Sequence, residues 1–166
     1  NDRLYWTGET YPRMGIYTGL SNWANRADYR LGIPAPQVAP TIQFTGTLDT
    51  TVTADETAWV YTFVSEFGEE GPPSAASIIY DFTPTTQTAT VDIPSYNVPN
   101  DAAFGSPAKK RIYRANVGSN ATEFQFVAEV LYTATQHPDS KQATERGEVI
   151  PSTTWIGPPD DDTVNY

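Results

Sequence analysis

From residue 41 onward apolar and polar positions alternate in short runs. In TIQFTGT, Ile42 and Phe44 fall on one side and Thr41, Gln43 and Thr45 on the other, the period-2 pattern of a half-buried strand. AWVYTFVSEF (58–67) sets Trp59, Tyr61 and Phe63 against Val60, Thr62 and Val64, so both faces are largely apolar and a central strand is predicted. SIIYDF, with Ile78, Tyr80 and Phe82 opposite Ile79 and Asp81, and TATVDIP, with Ala89, Val91 and Ile93 inward, predict two more strands joined by a PTTQ turn. KKRIYRA (109–115) and EFQFVAEVLY (123–132) flank the turn-forming NVGSN and predict a hairpin. Beyond it, TATQHPDSKQATERG reads as loop, GEVIPSTTW as a last short strand and GPPDDDTVNY as an acidic tail. Six or seven strands about ten residues apart, with no helical period, predict an all-β antiparallel sandwich over 41–156, followed by a tail over 157–166.

Two connections stand out. FGEEGPPSAAS (67–77), directly after Glu66, packs two acids, Glu69 and Glu70, beside two prolines and reads as a turn: Gly68 and Gly71 give unusual backbone freedom, Pro72 and Pro73 halt the ladder, and the glutamates need only be solvated. PSYNVPNDAAFGSPA (94–108) has three prolines and no period, a length at which loops tend to be functional, and makes Tyr96 and Phe104 candidate binding residues.

The first forty residues differ in kind. They hold six aromatics (Tyr5, Trp6, Tyr11, Tyr17, Trp23, Tyr29), four arginines (Arg3, Arg13, Arg26, Arg30) and no lysine, without a sustained period of 2 or 3.6, and read as an irregular arm. GIPAPQVAP, with prolines at 34, 36 and 40, reads as a stiff linker into the domain. Four bases and three acids give residues 1–40 a charge of +1, against −11 for the six bases and 17 acids that follow. Trp, Tyr and Arg are enriched at interface hot spots, since each joins a large desolvating surface to a polar handle. Tyr5, Trp6, Tyr11, Arg13, Tyr17, Trp23, Arg26, Tyr29 and Arg30 are therefore the candidate interface; the arm either docks on a neighbouring subunit or folds back on its own domain.

Composition narrows the chemistry. A charge of −10 argues against nucleic acid as a partner. The absence of cysteine excludes disulfides and thiolate metal sites. No apolar stretch approaches the roughly 18 residues of a membrane span and no signal pattern opens the chain, so a soluble protein with no membrane partner is expected. It starts at Asn1 without an initiator methionine, and a longer or processed polypeptide is the expectation. The single histidine, His137, is read as an exposed loop residue; a base or ligand beside Asp139 would need further convergent groups. Glu66, Glu69 and Glu70 lack the spacing of a calcium loop, and Asp160, Asp161 and Asp162 fit a solvated tail. Lys110, Ile112 and Arg114 fall on one side of their strand and Arg111 and Tyr113 on the other, a split that suits an edge strand guarded against aggregation or a sheet surface balancing nearby acids. Asn120-Ala121-Thr122 matches the glycosylation pattern, with nothing else pointing to a secretory context. No catalytic residue, cofactor or metal site is expected, and the chain is not read as an enzyme.

AWVYTFVSEFGEEGPPSAAS resembles the last strand pair of a fibronectin type III domain, and KKRIYRANVGSNATEFQFVAEV the middle hairpin of the same fold, in the reverse of the usual order. The resemblance implies an immunoglobulin/fibronectin III-like sandwich of permuted order. The longer ensemble RLYWTGETYPRMG, YRLGIPAPQVAP, YTFVSEFGEEGPPS, RIYR, FVAEV and GEVIPSTTWIGPPDD resembles domains of tailed-bacteriophage virion proteins of the tail-tube or nozzle type. It implies a structural tail protein, located in the virion, whose partners are copies of itself and other tail proteins. The alternative from another class is a carbohydrate- or receptor-binding module that uses Tyr96 and Phe104.

Overall fold

A computed structural model describes residues 2–8, 11–17, 28–94, 108–116 and 123–151. Three short strands, β1 (Asp2–Trp6), β2 (Arg13–Tyr17) and β3 (Asp28–Arg30), form an antiparallel meander of their own. The segment read as an irregular arm is thus a small sheet. Strands of three to five residues, one of them interrupted by Gly15, are too short to print a period on the sequence.

Seven strands follow: β4 (Thr41–Gly46), β5 (Asp55–Val64), β6 (Tyr80–Phe82), β7 (Gln87–Asp92), β8 (Lys109–Asn116), β9 (Gln125–Leu131) and β10 (Gln136–Asp139). They form two antiparallel sheets, ordered β10-β7-β4 and β6-β5-β8-β9, an all-β sandwich as the alternation predicts. Its core joins Ile42, Ala89, Val91 and Ile93 of one sheet to Trp59, Tyr61, Phe63, Phe82, Ile112 and Val127 of the other. Phe44 fills the gap between sheets, with its ring 5.3 Å from Tyr80 and 5.6 Å from Phe82. β5 is central and every residue from Thr57 to Val64 is buried. Its outer face is covered because Val60 packs with Tyr113, Ile150, Phe124 and Phe126.

Core packing begins before residue 41. Ile33, in the proline-rich stretch, is 2% exposed and joins the main core, so this stretch is seated on the sandwich. It is also why residue 71 is glycine: a Cβ there would stand 2.7 Å from Ile33. Gly68, by contrast, has φ of +81°, the left-handed backbone that favours glycine in the turn closed by its N–H to Ser65 O at 3.0 Å.

Several expectations need correction. QHPD is a strand, β10, rather than loop, so His137 is half-buried opposite Val91 and burial pulls its pKa down. GEVI makes only an isolated bridge, Val149 to Gln125, with flanking bonds to Phe124 and Phe126. SIIYDF pairs as a strand only over Tyr80–Phe82, which leaves Ile78 and Ile79 71% and 55% exposed.

The stretch before β6 runs along the edge of β5 with three residues against two. Gly71 N–H donates to Phe63 O, Ser74 N–H to Tyr61 O and Ser77 N–H to Trp59 O, at 2.9 to 3.0 Å. A strand would return a carbonyl at each step; here Ser74 Oγ accepts from Tyr61 N–H at 3.2 Å and Ser77 Oγ from Trp59 N–H at 3.1 Å. Serine three residues apart therefore completes the ladder where a bulged chain cannot.

Candidate functional site

In the N-terminal sheet, Arg13 stands directly opposite Arg30, a repulsive cross-strand pair. Tyr11, buried at the start of β2, relieves it: the Arg13 and Arg30 guanidiniums lie 4.9 and 4.7 Å from its ring centre. Arg13 also donates to Asp28 Oδ2 at 2.9 Å. The sheet meets the turn after β5, where the Ser65 hydroxyl accepts from Phe67 and Glu69 N–H and Phe67 is half-buried. Tyr29 packs edge-on against Phe67 at 5.1 Å, Arg3 lies 5.0 Å from the same ring, and Arg3 pairs with Glu69 at 3.5 Å. Burial first, then the Glu66 carboxylate, raises the pKa of Tyr29.

The candidate interface residues consequently separate. Tyr11 is buried; Arg13, Tyr29 and Arg30 are half-buried and engaged within the chain. Trp6 is half-buried, whereas Tyr5 is 55% exposed with exposed Leu4 beside it. Tyr17 ends β2, and its side chain, like Trp23, Arg26, Tyr96 and Phe104, lies outside the described residues.

A second cluster occupies the outer face of β5, β8 and β9. Glu70 is not simply solvated: its side chain is 7% exposed, and Oε1 accepts from Thr62 Oγ1 at 2.7 Å and from the Tyr113 hydroxyl at 2.5 Å. Its Oε2 pairs with Arg111 at 2.7 Å, and Arg111 reaches on to Glu129 at 2.9 Å, which Lys109 also meets at 2.5 Å. The two carboxylates keep Arg111 protonated against the pull of burial. Beside this cluster is an open cavity of about 490 Å³, bounded by Tyr113, Phe126, Glu148, Val149 and Pro151. Of the charged groups lining it, Arg111 and Glu129 are paired with each other, while Glu148 is exposed.

The basic run is the largest departure from expectation. Lys110, Ile112 and Arg114 do share one side of β8, but β8 is a central strand and that side faces the core; Lys110 and Arg114 are 0% and 1% exposed. Lys110 Nζ donates to the carbonyls of Ala134 at 2.7 Å, Ile93 at 3.1 Å and Pro94 at 3.4 Å, above the Tyr132 ring. Burial lowers its pKa to about 8. Arg114 pairs with Asp139 Oδ2 at 2.8 Å, and the same oxygen accepts from Trp59 Nε1 at 2.9 Å. A second guanidinium nitrogen of Arg114 donates to Lys141 O, while Asp139 Oδ1 accepts from Lys141 N–H at 3.0 Å. Nothing in the residue pattern announced Asp139 as the partner of an arginine 25 positions earlier.

These arrangements organise structure. Among the described residues no group of three or more His, Asp or Glu side chains is placed to hold a metal ion. No protein-family model, curated protein or solved structure matches the chain.

Proposed function

We propose that the chain is a structural component of a bacteriophage tail, in its tube, nozzle or neck, and joins neighbouring subunits through its N-terminal residues. The observation that carries this reading is the N-terminal sheet: it engages Tyr11, Arg13 and Arg30 internally yet leaves Leu4 and Tyr5 on its surface. A cross-braced sheet that turns a leucine and a tyrosine to solvent, on a chain otherwise strongly acidic, has the makings of a contact element. The order β6-β5-β8-β9 supports a permuted fibronectin III-like domain. It sets the strand pair carrying YTFVSEFGEEGPPS in one sheet with the KKRIYR hairpin, as the last strands and the middle strand share a sheet in such sandwiches.

The test removes residues 1–30 and keeps Ile33, which the core needs. Light scattering during size-exclusion chromatography should find the intact chain associating with concentration and the truncated chain a folded monomer. Equal association of the two, or an intact chain that stays monomeric, would overturn the reading.

A further inference from the structure

The segment that completes the edge of β5 has an outer side the fold leaves unexplained. Between Glu70 and Asp81 the sequence GPPSAASIIY carries no charge, in a chain of net charge −10. The three-against-two hydrogen bonding turns Gly71, Ser74 and Ser77 inward, and the intervening Ala75, Ala76, Ile78 and Ile79 outward, all four exposed. Adjacent isoleucines at 71% and 55% exposure form a continuous apolar strip with two alanines, the kind of surface that marks an interaction site. The strip is not a regular edge strand: its Ser74 and Ser77 N–H groups point to β5 and their hydroxyls donate to Ala75 O and Ile78 O.

A second oddity adjoins it. In the register of β5 and β6, Glu56 stands directly opposite Asp81, both exposed, with Asp55 next along the strand. Like charges directly opposite one another destabilise a sheet, so this end of the strip favours an incoming cation. The surface thus specifies its occupant: apolar or aromatic side chains next to arginine. The first forty residues have that composition, with six aromatics, four arginines and a charge of +1 against −11 for the remainder. Within them, β1 exposes Leu4 on one face and Tyr5 on the other, Tyr5 on the side of Arg3, whose guanidinium pairs with Glu69 and stays partly exposed.

Resting on the assembly reading above, we infer that the strip Ala75–Ile79 is the seat for the N-terminal sheet of a second copy of this chain. The two surfaces lie toward opposite ends of β5. The N-terminal sheet is braced on the turn after Val64, and the isoleucines lie past Ser77, which pairs with Trp59, roughly 17 Å back along the strand. Their union is therefore head-to-tail, a heterologous contact that closes into a ring when the rotation between copies allows it.

Two variants test this in the intact chain. Ile78→Glu/Ile79→Glu destroys the seat, and Leu4→Ser/Tyr5→Ser destroys the plug; both change only exposed side chains, so circular dichroism melts should match the parent. Each should weaken self-association on the order of a hundredfold, because a buried unpaired charge or a lost aromatic anchor acts at the contact centre. Mixed together, they should form a 1:1 pair and nothing larger, since one intact seat meets one intact plug. Seat variants that associate like the parent while plug variants do not would overturn this inference and leave the assembly reading standing; a parent that stays monomeric overturns both. The cysteine-free chain allows a further check, in which Tyr5→Cys/Ile79→Cys under oxidation should give covalent multimers on a non-reducing gel. A monomeric intramolecular disulfide would reverse the conclusion.

Discussion

β8 buries a cation near each end, and the two are held in opposite ways. At Arg114 the guanidinium meets a carboxylate that is itself buried, and Trp59 and the Lys141 backbone complete the group. At Lys110 no carboxylate among the described residues answers the ammonium; three backbone carbonyls accept its hydrogen bonds and the Tyr132 ring lies beneath it. The first arrangement ties β5, β8 and β10 together by charge, while the second ties the ends of β7 and of the β9–β10 turn to β8 by dipoles. A buried pair is costly to break from one side, because the survivor keeps its charge without its partner; a buried cation among dipoles has the option of giving up its proton.

The largest effect is therefore expected at the paired end. Asp139→Ala leaves Arg114 charged and sealed in the core, with Trp59 Nε1 unpartnered, and should lower unfolding free energy by about 3–5 kcal/mol in urea denaturation. Asp139→Asn, with its amide oxygen at the Oδ2 position, keeps the acceptor shared by Arg114 and Trp59, gives up the one for Lys141 N–H and should lose less. Replacing the pair together, as Arg114→Met/Asp139→Leu, should recover most of the loss, since apolar substitutes of similar volume often match a buried ion pair. A double variant no better than Asp139→Ala would show that the tie to Lys141, not the charge, holds this end.

Most of the sandwich was legible because alternation reports which residues share a face. It found β4, β5, β7 and the β8–β9 hairpin, and it placed Lys110, Ile112 and Arg114 on one side of a strand. What alternation cannot carry is the sign of that side. Charge argued for solvent, and the groups that reverse the argument are invisible in sequence: carbonyls have no side-chain signature, and Asp139 lies on a strand that Pro138 disguised as loop. The candidate interface suffered from the same limit at shorter range. Its composition signalled contact, but Tyr11, Arg13 and Arg30 make theirs with each other, and only geometry separates them from Leu4 and Tyr5. The exposed isoleucines were missed because Ile78 and Ile79 read as strand, and the serine spacing that sets the chain into a three-residue repeat was the available clue.

The Lys110 end should reveal itself through pH. With its folded pKa near 8 and an unfolded value of about 10.4, the unfolded chain binds the extra proton between those limits, so stability rises with pH across the interval. The gain is about 3 kcal/mol at most, the difference between the two pKa values at about 1.36 kcal/mol per unit. Above pH 10 the trend should reverse. Burial pushes the pKa of Tyr61 up to about 12 and that of Tyr113 higher still, so these phenols ionise first in the unfolded chain. Lys110→Met should flatten the rise between pH 8 and 10 and leave the later fall in place; a variant with the parent's profile would assign the rise to another group.

The smallest expected effect is the most discriminating at this end. Tyr132 lies 5.5 Å from Phe63 as well as under Lys110, so Tyr132→Leu removes both a packing partner and a cation–π contact. Each is worth about 1 kcal/mol, and a single stability value at neutral pH would not tell them apart. Their pH dependence does. Loss of ring packing is independent of protonation, whereas loss of the ring's attraction weakens only the ammonium form and lowers the Lys110 pKa further. The stability rise should therefore begin below pH 8 in Tyr132→Leu and at the parent's position in Tyr132→Phe, which keeps the aromatic face. If the two profiles rise together, the carbonyls alone hold the charge, and the contrast between the two ends of β8 becomes one between a carboxylate and the backbone itself.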